Sequence, residues 1–311
     1  MSKLKSGLTR RHFIKSSGAA TLLYSLLPGY VAAAKSAVIK KTIPSTGERL
    51  SVIGLGTSRT FDVNSTTAAQ SPLLDVVQAF FDNGGQLIDS SPMYGSAEAV
   101  TGALLKRTNN KQNLFAATKV WTNGKREGIQ QMERSMQRLG VDKIDLMQIH
   151  NLRDWQTHID TLVEWKAAGK IRYIGITTSH GRYHDELETI LQQLPLDFVQ
   201  FSYNILDRDV ERRLLPIASE QGIATLINRP YQRGSLFRKV RGKSLPPWAS
   251  EFDCVSWGQF FLKFIASHPE VTCIIPATSK LKHMVDNMAA GYGRLPDEST
   301  RRRMIEFIES L

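Results

Sequence analysis

Eight short apolar segments recur along the chain from residue 51 onward, and segments of helical periodicity lie between them. The apolar segments are rich in β-branched residues and read SVIGLG, QLIDSS, NLFAATKV, IDLMQIH, IRYIGITT, LDFVQFSYN, IATLINRP and VTCIIPAT. Strands that alternate with helices pair in parallel through right-handed crossovers. Eight such units predict an α/β fold, a closed (β/α)8 TIM barrel, and a doubly wound open sheet is the alternative.

The helical segments carry recognisable start and stop signals. In SPLLDVVQAFFDNGG we expect Ser71 to be the N-cap, Pro72 to take the first helical position and the pair Gly84–Gly85 to end the helix. KREGIQQMERSMQRLG places four apolar residues on one face and ends at Gly140, and IDTLVEWKAAGK ends at Gly169 in the same way. The segment AVIKKTIPSTGERL predicts a hairpin at the bottom of the barrel, and TRRRMIEFIES predicts a closing amphipathic helix.

The first 34 residues resemble an export signal more than part of the fold. TRRHFIK contains the pair Arg10–Arg11, and it precedes the apolar run AATLLYSLLPGYV and three alanines ending at Ala34. Paired arginines, an apolar run too short to span a bilayer and small residues at a cleavage site indicate a twin-arginine signal peptide. We therefore expect residues 1–34 to be the signal, residues 35–311 to be the barrel domain, and the location to be the periplasm. A basic amino-terminal helix or an uncleaved anchor is the alternative.

The charge argues against a nucleic-acid-binding protein, and the cysteine content argues against a disulfide-stabilised one. The formal charge is +11, and because the first 34 residues hold five basic residues and no acid, +6 remains for the rest. That charge is spread along the chain without aromatic interleaving, so we expect a small anionic ligand and no nucleic acid. Cys254 and Cys273 cannot form a disulfide framework, and Cys273 lies in an apolar run typical of a core. After the signal segment no apolar run is long enough to predict a membrane anchor.

Three short patterns resemble binding motifs, but each lacks a residue that the motif requires. GLGTSR begins like a dinucleotide fingerprint, but Arg59 stands where the third glycine belongs. GKS at 242–244 ends like a phosphate-binding loop, but Phe237 occupies the first glycine position. His180 and His184 have the spacing of a metal pair on a helix, yet no third ligand is evident, so we expect surface histidines and no metal.

In a barrel of this class the site lies at the carboxyl ends of the strands. The residues at those ends are, in chain order, Gly56, Thr57, Asp89, Lys119, His150, Thr177, Thr178, Tyr203, Asn204, Arg229 and Thr278. A lysine that closes an apolar strand is costly to bury without a partner, and Asp89 on the neighbouring strand is the natural one. Tyr94 follows Asp89 by five residues and adds a phenol. Each residue alone also has an ordinary structural interpretation, as a cap, a turn, a surface or a core residue.

Together, these four residues suit the reduction of a carbonyl group. Hydride delivery leaves negative charge on the carbonyl oxygen, which needs a proton donor and hydrogen-bond support. A phenol with an ordinary pKa of about 10 is a weak acid, so we expect the ammonium of Lys119 to lower the pKa of Tyr94. Asp89 would keep Lys119 charged, and a neutral His150 would hold the carbonyl.

At this point the sequence resembles the aldo/keto reductase family over residues 37–290. LIDSSPMYGSAE is similar to the family's first signature and IIPATSKLKHMVDN to its last, and Asp89, Tyr94, Lys119 and His150 match its catalytic tetrad in order. The resemblance implies the barrel predicted above, a cofactor bound without a Rossmann domain, and Tyr94 as the general acid in reduction of aldehydes or ketones.

The same resemblance implies a set of cofactor-binding residues. Gln200 would hold the carboxamide, and the adenosine end would lie near the last signature; the full set is Gly56, Thr57, Thr177, Thr178, Gln200, Arg229, Thr278, Ser279, Lys280, His283, Asp286 and Asn287. This chain has Thr177–Thr178 where the family commonly has Ser-Asn, and Arg229 where an aromatic residue often stacks. His283 replaces the usual arginine at the 2′-phosphate, so NADP(H) is preferred and NAD(H) remains possible.

The sequence does not identify the substrate, and it leaves two functions as alternatives. The loop QRGSLFRKVRGKSLPPWASEF is long and basic, and the candidate wall residues of a substrate pocket are Trp121, Trp155, Tyr183 and Trp248, each of which has ordinary packing as its alternative. The leading prediction is an exported reductase of small carbonyl compounds that engages the twin-arginine export machinery. The alternative is a nucleotide-holding, redox-sensing or partner-binding module with little turnover.

Overall fold

The amino-terminal hairpin begins the described part of this computed structural model, which comprises residues 37–64 and 72–311. Strands β1 (Lys40–Thr42) and β2 (Arg49–Ser51) pair in antiparallel fashion. The predicted signal segment and the predicted N-cap Ser71 lie outside the described residues.

Eight parallel strands form the central sheet, and each pairs with its neighbour in chain order. They are β3 (Leu55–Gly56), β4 (Leu87–Asp89), β5 (Phe115–Val120), β6 (Ile144–Ile149), β7 (Ile171–Thr177), β8 (Phe198–Ser202), β9 (Ala224–Asn228) and β10 (Cys273–Ile274). Parallel bridges from Ile53 to Ile274 and from Gly56 to Ala277 join the first strand to the last. The predicted closed barrel is confirmed, and the open sheet is excluded.

Helices follow the strands on the outside of the barrel. They are α1 (Leu73–Asp82), α2 (Ala97–Leu105), α3 (Lys125–Leu139), α4 (Trp155–Ala167), α5 (His184–Gln193), α6 (Leu214–Glu220), α7 (Ser235–Lys239), α8 (Trp257–Ala266), α9 (Leu281–Ala289) and α10 (Glu298–Glu309). Short 3-10 helices span Lys111–Asn113, His150–Leu152, Asp209–Glu211, Gln232–Gly234 and Pro247–Phe252. Helix α10 is the predicted closing helix.

The helix boundaries largely agree with the sequence signals. Helix α3 ends at Gly140, whose left-handed backbone (φ 68°) caps the helix, as predicted. Gly169 has φ 71° just after α4. Helix α1 begins one residue later than expected, because Pro72 is its N-cap and Leu73 its first residue.

Two apolar clusters stabilise the fold. The larger one packs the helices against the outer face of the strands, with Phe80, Met132 and Leu162 fully buried. The smaller one fills the barrel interior and includes the stacked rings of Phe115 and Tyr173. Ile43 and Leu50 of the hairpin belong to this inner cluster, so the hairpin closes the amino-terminal end of the barrel as predicted.

The residues that break the dinucleotide-like and phosphate-loop-like patterns lie in a loop and in a short helix. Arg59 lies in a loop with no helix at the end of β3, and Phe237 lies in helix α7. Cys254 and Cys273 are both free and buried, and Cys273 belongs to the inner cluster. Within residues 37–64 and 72–311, no group of His, Cys, Asp or Glu is arranged to hold a metal ion. No helix in the same ranges is long and apolar enough to cross a membrane.

Candidate active site

The inward-facing residues of the barrel change from apolar to polar at its carboxyl-terminal end. On β5, Ala117 belongs to the inner apolar cluster and Lys119 is the next inward position; on β6, Leu146 precedes Gln148 in the same way. Gly175 of β7 makes room for this layer, since a Cβ there would lie 2.8 Å from the Cγ of Gln148. The strand pattern therefore builds a buried polar layer of Asp89, Lys119, Gln148 and Gln200.

A fully buried ion pair lies at the centre of this layer. The Nζ of Lys119 donates to Asp89 Oδ2 at 2.6 Å and to the carbonyl oxygen of Ser90 at 2.8 Å. The other carboxylate oxygen of Asp89 accepts from Gln148 Nε2 at 2.9 Å and from Gln200 Nε2 at 3.2 Å. Both charges are thus paired and hydrogen-bonded, as burial requires.

Tyr94 lies directly beside this ion pair. Its ring centroid is 5.0 Å from the Nζ of Lys119, and its backbone N–H closes a turn onto the carbonyl of Ser91 at 3.0 Å. Burial raises the pKa of Tyr94, and the charge of Lys119 opposes that shift without overcoming it. The predicted net lowering is therefore wrong, because desolvation of the phenolate outweighs the ammonium. Burial alone would lower the pKa of Lys119, but Asp89 and Tyr94 together hold it above its ordinary value.

His150 completes the group from the end of β6. Its ring lies 5.6 Å from that of Tyr94, centroid to centroid, at an interplanar angle of 87°. Burial, with a further contribution from the Lys119 charge, lowers the pKa of His150 to about 2. The imidazole is therefore neutral, as expected, and its Nδ1 lies 2.9 Å from the hydroxyl oxygen of Ser91.

An open cleft of about 460 Å³ lies beside His150. Trp121 and Tyr183, two of the four predicted wall residues, line it together with Arg153 and Glu186. The ring of Trp121 is 6.5 Å from that of His150, and the guanidinium of Arg153 lies 5.0 Å from the Trp121 ring centroid.

The other two predicted wall residues do not line the cleft. The indole of Trp155 donates to Oε1 of Glu186, a lining residue, at 2.9 Å. Trp248 packs against Phe252, Phe260 and Phe307, so its role is ordinary packing, the alternative given for it above.

The predicted cofactor residues of the early and middle strands surround the polar layer. Thr57 donates to the carbonyl of Asp89 at 3.0 Å. Gly56 lies so close to the residue after β10 that a Cβ would lie 2.7 Å from the carbonyl oxygen of Ile275. Thr177 accepts from the backbone of Asn151 at 3.1 Å. The hydroxyl oxygen of Thr178 is buried with no partner among the described residues.

Gln200 is more constrained than the sequence indicated. Its amide nitrogen donates to both Asp89 and Gln148, and its Oε1 accepts from Asn228 at 3.3 Å. Only one acceptor position on Oε1 remains for a further donor.

Arg229 lies in a left-handed backbone conformation (φ 53°) just after β9. Burial and the charge of Arg233 lower its pKa, and Asp207 opposes that shift. Its Nε is buried with no partner in the described part of the chain. Left-handed non-glycine residues also follow other strands, among them Asn151, His180 and Tyr183, and such strain clusters at functional sites.

The last signature runs from the end of β10 through most of helix α9. Thr278 is buried and accepts from the backbone of Lys280, which is the N-cap of α9. Ser279, Lys280 and His283 are exposed, and burial and the charges of Lys282 and Lys280 lower the pKa of His283.

Two predicted adenosine contacts already have protein partners. Asp286 accepts from the hydroxyl of Ser256 at 2.7 and 2.8 Å and from Gln259 at 2.8 Å. Asn287 accepts from the hydroxyl of Tyr231 at 2.6 Å. Both side chains therefore connect α9 to neighbouring segments of the barrel.

Two site residues escaped the sequence analysis. Gln148 contacts Asp89 directly, and a single glutamine within the apolar strand IDLMQIH is the signal that could have identified it. Ser91 contacts His150, but nothing local distinguishes it from a turn serine.

A scan against family models matches residues 52–303 to the Aldo/keto reductase family. Among curated proteins, aldo-keto reductase YhdN of Bacillus subtilis is 29% identical over 214 residues, which cover 64% of each chain. The NADH-specific methylglyoxal reductase of Escherichia coli is 30% identical over 194 residues, 52% of this chain and 57% of that one. The matched part thus spans less than two thirds of the length of these two relatives.

Solved structures share the fold at lower identity. An aldo/keto reductase from Klebsiella pneumoniae, solved in complex with NADP and acetate, superposes with a TM-score of 0.73 at 22% identity. The superposition covers 87% of this chain and 96% of that one.

Replacing Asp89 with Asn should strongly destabilise the protein. Lys119 would lose its anionic partner while staying buried, and breaking such a pair costs about 3–5 kcal/mol. Urea unfolding of the Asp89→Asn variant measures this loss. The matched control is Glu164→Gln, which breaks the exposed pair with Lys125 and should cost less than about 1 kcal/mol. Equal losses in the two variants would contradict a structural role for the buried pair.

His150 should make the folded protein less stable in mild acid. Its pKa is about 2 in the folded state against 6.5 ordinarily, so between these values only the unfolded chain binds the proton. The contribution of the neutral imidazole to the free energy of unfolding is fully present above pH 6.5. It falls by about 2 kcal/mol when the pH is lowered to about 5. Unfolding free energies of the parent and of His150→Gln at pH 7.5 and pH 5 measure this. A pH dependence that is the same in both proteins would rule out a buried neutral His150.

Proposed function

This chain belongs to the aldo/keto reductase family, and from that premise we propose that it is an NADP(H)-dependent oxidoreductase that reduces aldehydes or ketones to alcohols. The observation that carries the proposal is the placement of Tyr94 beside the buried Lys119–Asp89 pair and within ring contact of His150. A proton donor, a buried cation and a neutral imidazole at one site are the groups that a carbonyl reduction requires.

Each residue has a distinct part in this proposal. The bound nicotinamide supplies the hydride. Tyr94, whose pKa is raised by burial, holds its proton at neutral pH and transfers it from its hydroxyl oxygen to the carbonyl oxygen as negative charge develops there. Lys119 then stabilises the tyrosinate that remains, and Asp89 keeps Lys119 protonated and in place. His150, neutral at this position, donates a hydrogen bond to the carbonyl oxygen and orients the substrate.

The residues around the site fit a nicotinamide dinucleotide. Thr178 has a buried hydroxyl without a protein partner, which suits the carboxamide predicted to lie there. At the other end, Lys280 is the N-cap of α9 and Lys282 and His283 follow it, so backbone N–H groups and cations meet where a 2′-phosphate is expected. We therefore propose NADP(H) as the preferred cofactor. NAD(H) is the alternative, and the relative described as NADH-specific supports keeping it.

Arg229 would place a guanidinium near the cofactor. Its unpartnered Nε lies within a cationic group that includes Arg233 and Arg59. Such charges favour an anionic ligand such as a dinucleotide. The substrate would enter through the cleft that contains Trp121 and Arg153.

Replacing Tyr94 with Phe should strongly slow hydride transfer and leave NADPH binding unchanged. Loss of a general acid typically costs about 10²–10⁴ in rate. The measurement is a single turnover: protein with stoichiometric NADPH, a reactive aromatic aldehyde, and the loss of nicotinamide absorbance with time.

The matched control is Tyr292→Phe, which removes a hydroxyl that donates to the backbone of Asn83 outside the site. If the parent binds NADPH but reduces none of several aldehydes and ketones, the enzyme proposal fails. The alternative, a nucleotide-holding module that senses redox state or binds a partner, would then be the better account.

We also propose that the protein is exported, already folded, by the twin-arginine machinery to the periplasm. The support is the sequence of residues 1–34, with Arg10–Arg11 before a short apolar run and Ala32–Ala34 at the expected cleavage point. An exported reductase would need to carry its cofactor tightly bound, because free nicotinamide nucleotide is expected to be scarce outside the cytoplasm.

Changing Arg10 and Arg11 to Lys should retain the protein in the cytoplasm, because the pathway reads the arginine pair and not charge alone. Fractionation of a bacterium that has the pathway, followed by detection of the protein in each fraction, measures this. Lys5→Arg is the charge-conserving control outside the pair. Periplasmic recovery of the double variant at the parent level would refute a twin-arginine signal.

A further inference from the structure

Ser91 and His150 form a buried contact between the ends of two different strands. The hydroxyl oxygen of Ser91 lies 2.9 Å from Nδ1 of His150, with exposed fractions of 0% and 5%. Ser91 follows β4, and His150 follows β6. This contact therefore connects the segment that carries Tyr94 to the imidazole.

The surroundings of Ser91 decide which of the two atoms donates. Its hydroxyl oxygen already accepts the backbone N–H of Met93 at 3.1 Å. If Nδ1 of His150 carried the proton, it would donate to Ser91, and the hydroxyl proton of Ser91 would have no acceptor among the described residues. A buried unsatisfied donor costs about 1–3 kcal/mol. The favoured arrangement has Ser91 donating to Nδ1, so that the single proton of the neutral ring is on Nε2.

We propose that Ser91 is a positioning residue that fixes His150 as the Nε2–H tautomer and holds its ring edge-on to Tyr94. The proposal rests on the reductase function argued above, in which His150 donates a hydrogen bond to the carbonyl oxygen. An Nδ1–H tautomer would present a lone pair at Nε2 and repel that oxygen. Ser91 thus makes His150 a donor at the site without contacting the substrate itself.

The same residue orders the Tyr94 turn. The carbonyl of Ser91 accepts from the backbone N–H of Tyr94 at 3.0 Å, while its side chain accepts from Met93. Side-chain and main-chain hydrogen bonds of this kind fix a tight turn. One serine thereby sets both the position of the proton donor and the tautomer of the imidazole.

The first test reads the tautomer directly. In protein labelled with 15N at histidine, long-range proton–nitrogen spectra distinguish a protonated Nε2 from a protonated Nδ1, and the His150→Gln spectrum assigns the signals. The parent should show His150 as Nε2–H only, and Ser91→Ala should show a mixture with Nδ1–H. Ser91→Thr keeps a hydroxyl and should restore the parent pattern. An unchanged tautomer in Ser91→Ala would overturn the proposal.

The second test is kinetic. Ser91→Ala should lower kcat/KM for a reactive aldehyde by about ten-fold and leave the NADPH dissociation constant unchanged. Ser135→Ala is the control, because Ser135 is a buried serine whose hydroxyl donates only within its own helix. A changed tautomer with unchanged kcat/KM would also overturn the positioning role. If the parent reduces no aldehyde, the reductase function fails, and the nitrogen spectra still decide the tautomer.

Discussion

The Lys119 ammonium has no exposed surface and lies 2.6 Å from the Asp89 carboxylate, and the rest of the site is arranged around that contact. Two charges at this depth are tolerated only when each is paired and its remaining hydrogen-bonding capacity is used. The protein meets this condition with Ser90, Gln148 and Gln200, which contribute from three different strands or their ends. The ion pair therefore determines which polar residues occupy the top of the barrel.

Burial outweighs pairwise charge in setting the protonation states of Tyr94 and His150, whereas the charges of Asp89 and Tyr94 outweigh burial at Lys119. The pKa of Tyr94 is raised in spite of the adjacent ammonium, and the pKa of His150 is lowered to about 2. Both groups are thus neutral before a substrate arrives, and both can act as hydrogen donors. In the proposed reduction, the ammonium of Lys119 would favour the tyrosinate once the proton has left, which is when the interaction is needed.

The two ends of the barrel differ in polarity, and this difference places the polar groups at one end only. At the amino-terminal end, the hairpin residues Ile43 and Leu50 and the rings of Phe115 and Tyr173 fill the interior. At the carboxyl-terminal end the same alternation of strand residues delivers polar side chains. The packed apolar half is a scaffold for the loops at the carboxyl-terminal end. These loops, several of which contain left-handed residues, carry the chemical groups of the site.

The sequence by itself determined the eight strands, the barrel, the closing hairpin and the four residues that converge on the site, because strand periodicity, helix stops at glycine and strand ends are local patterns. It also indicated a neutral His150. Only the tertiary structure decided the sign of the Tyr94 pKa shift, since that depends on how deeply other segments bury the phenol. The contact of Gln148 with Asp89 and that of Ser91 with His150 each join residues 59 positions apart, and no local pattern specifies such pairs. Local order follows from spacing along the chain, whereas desolvation and cross-strand hydrogen bonds exist only once the barrel has closed.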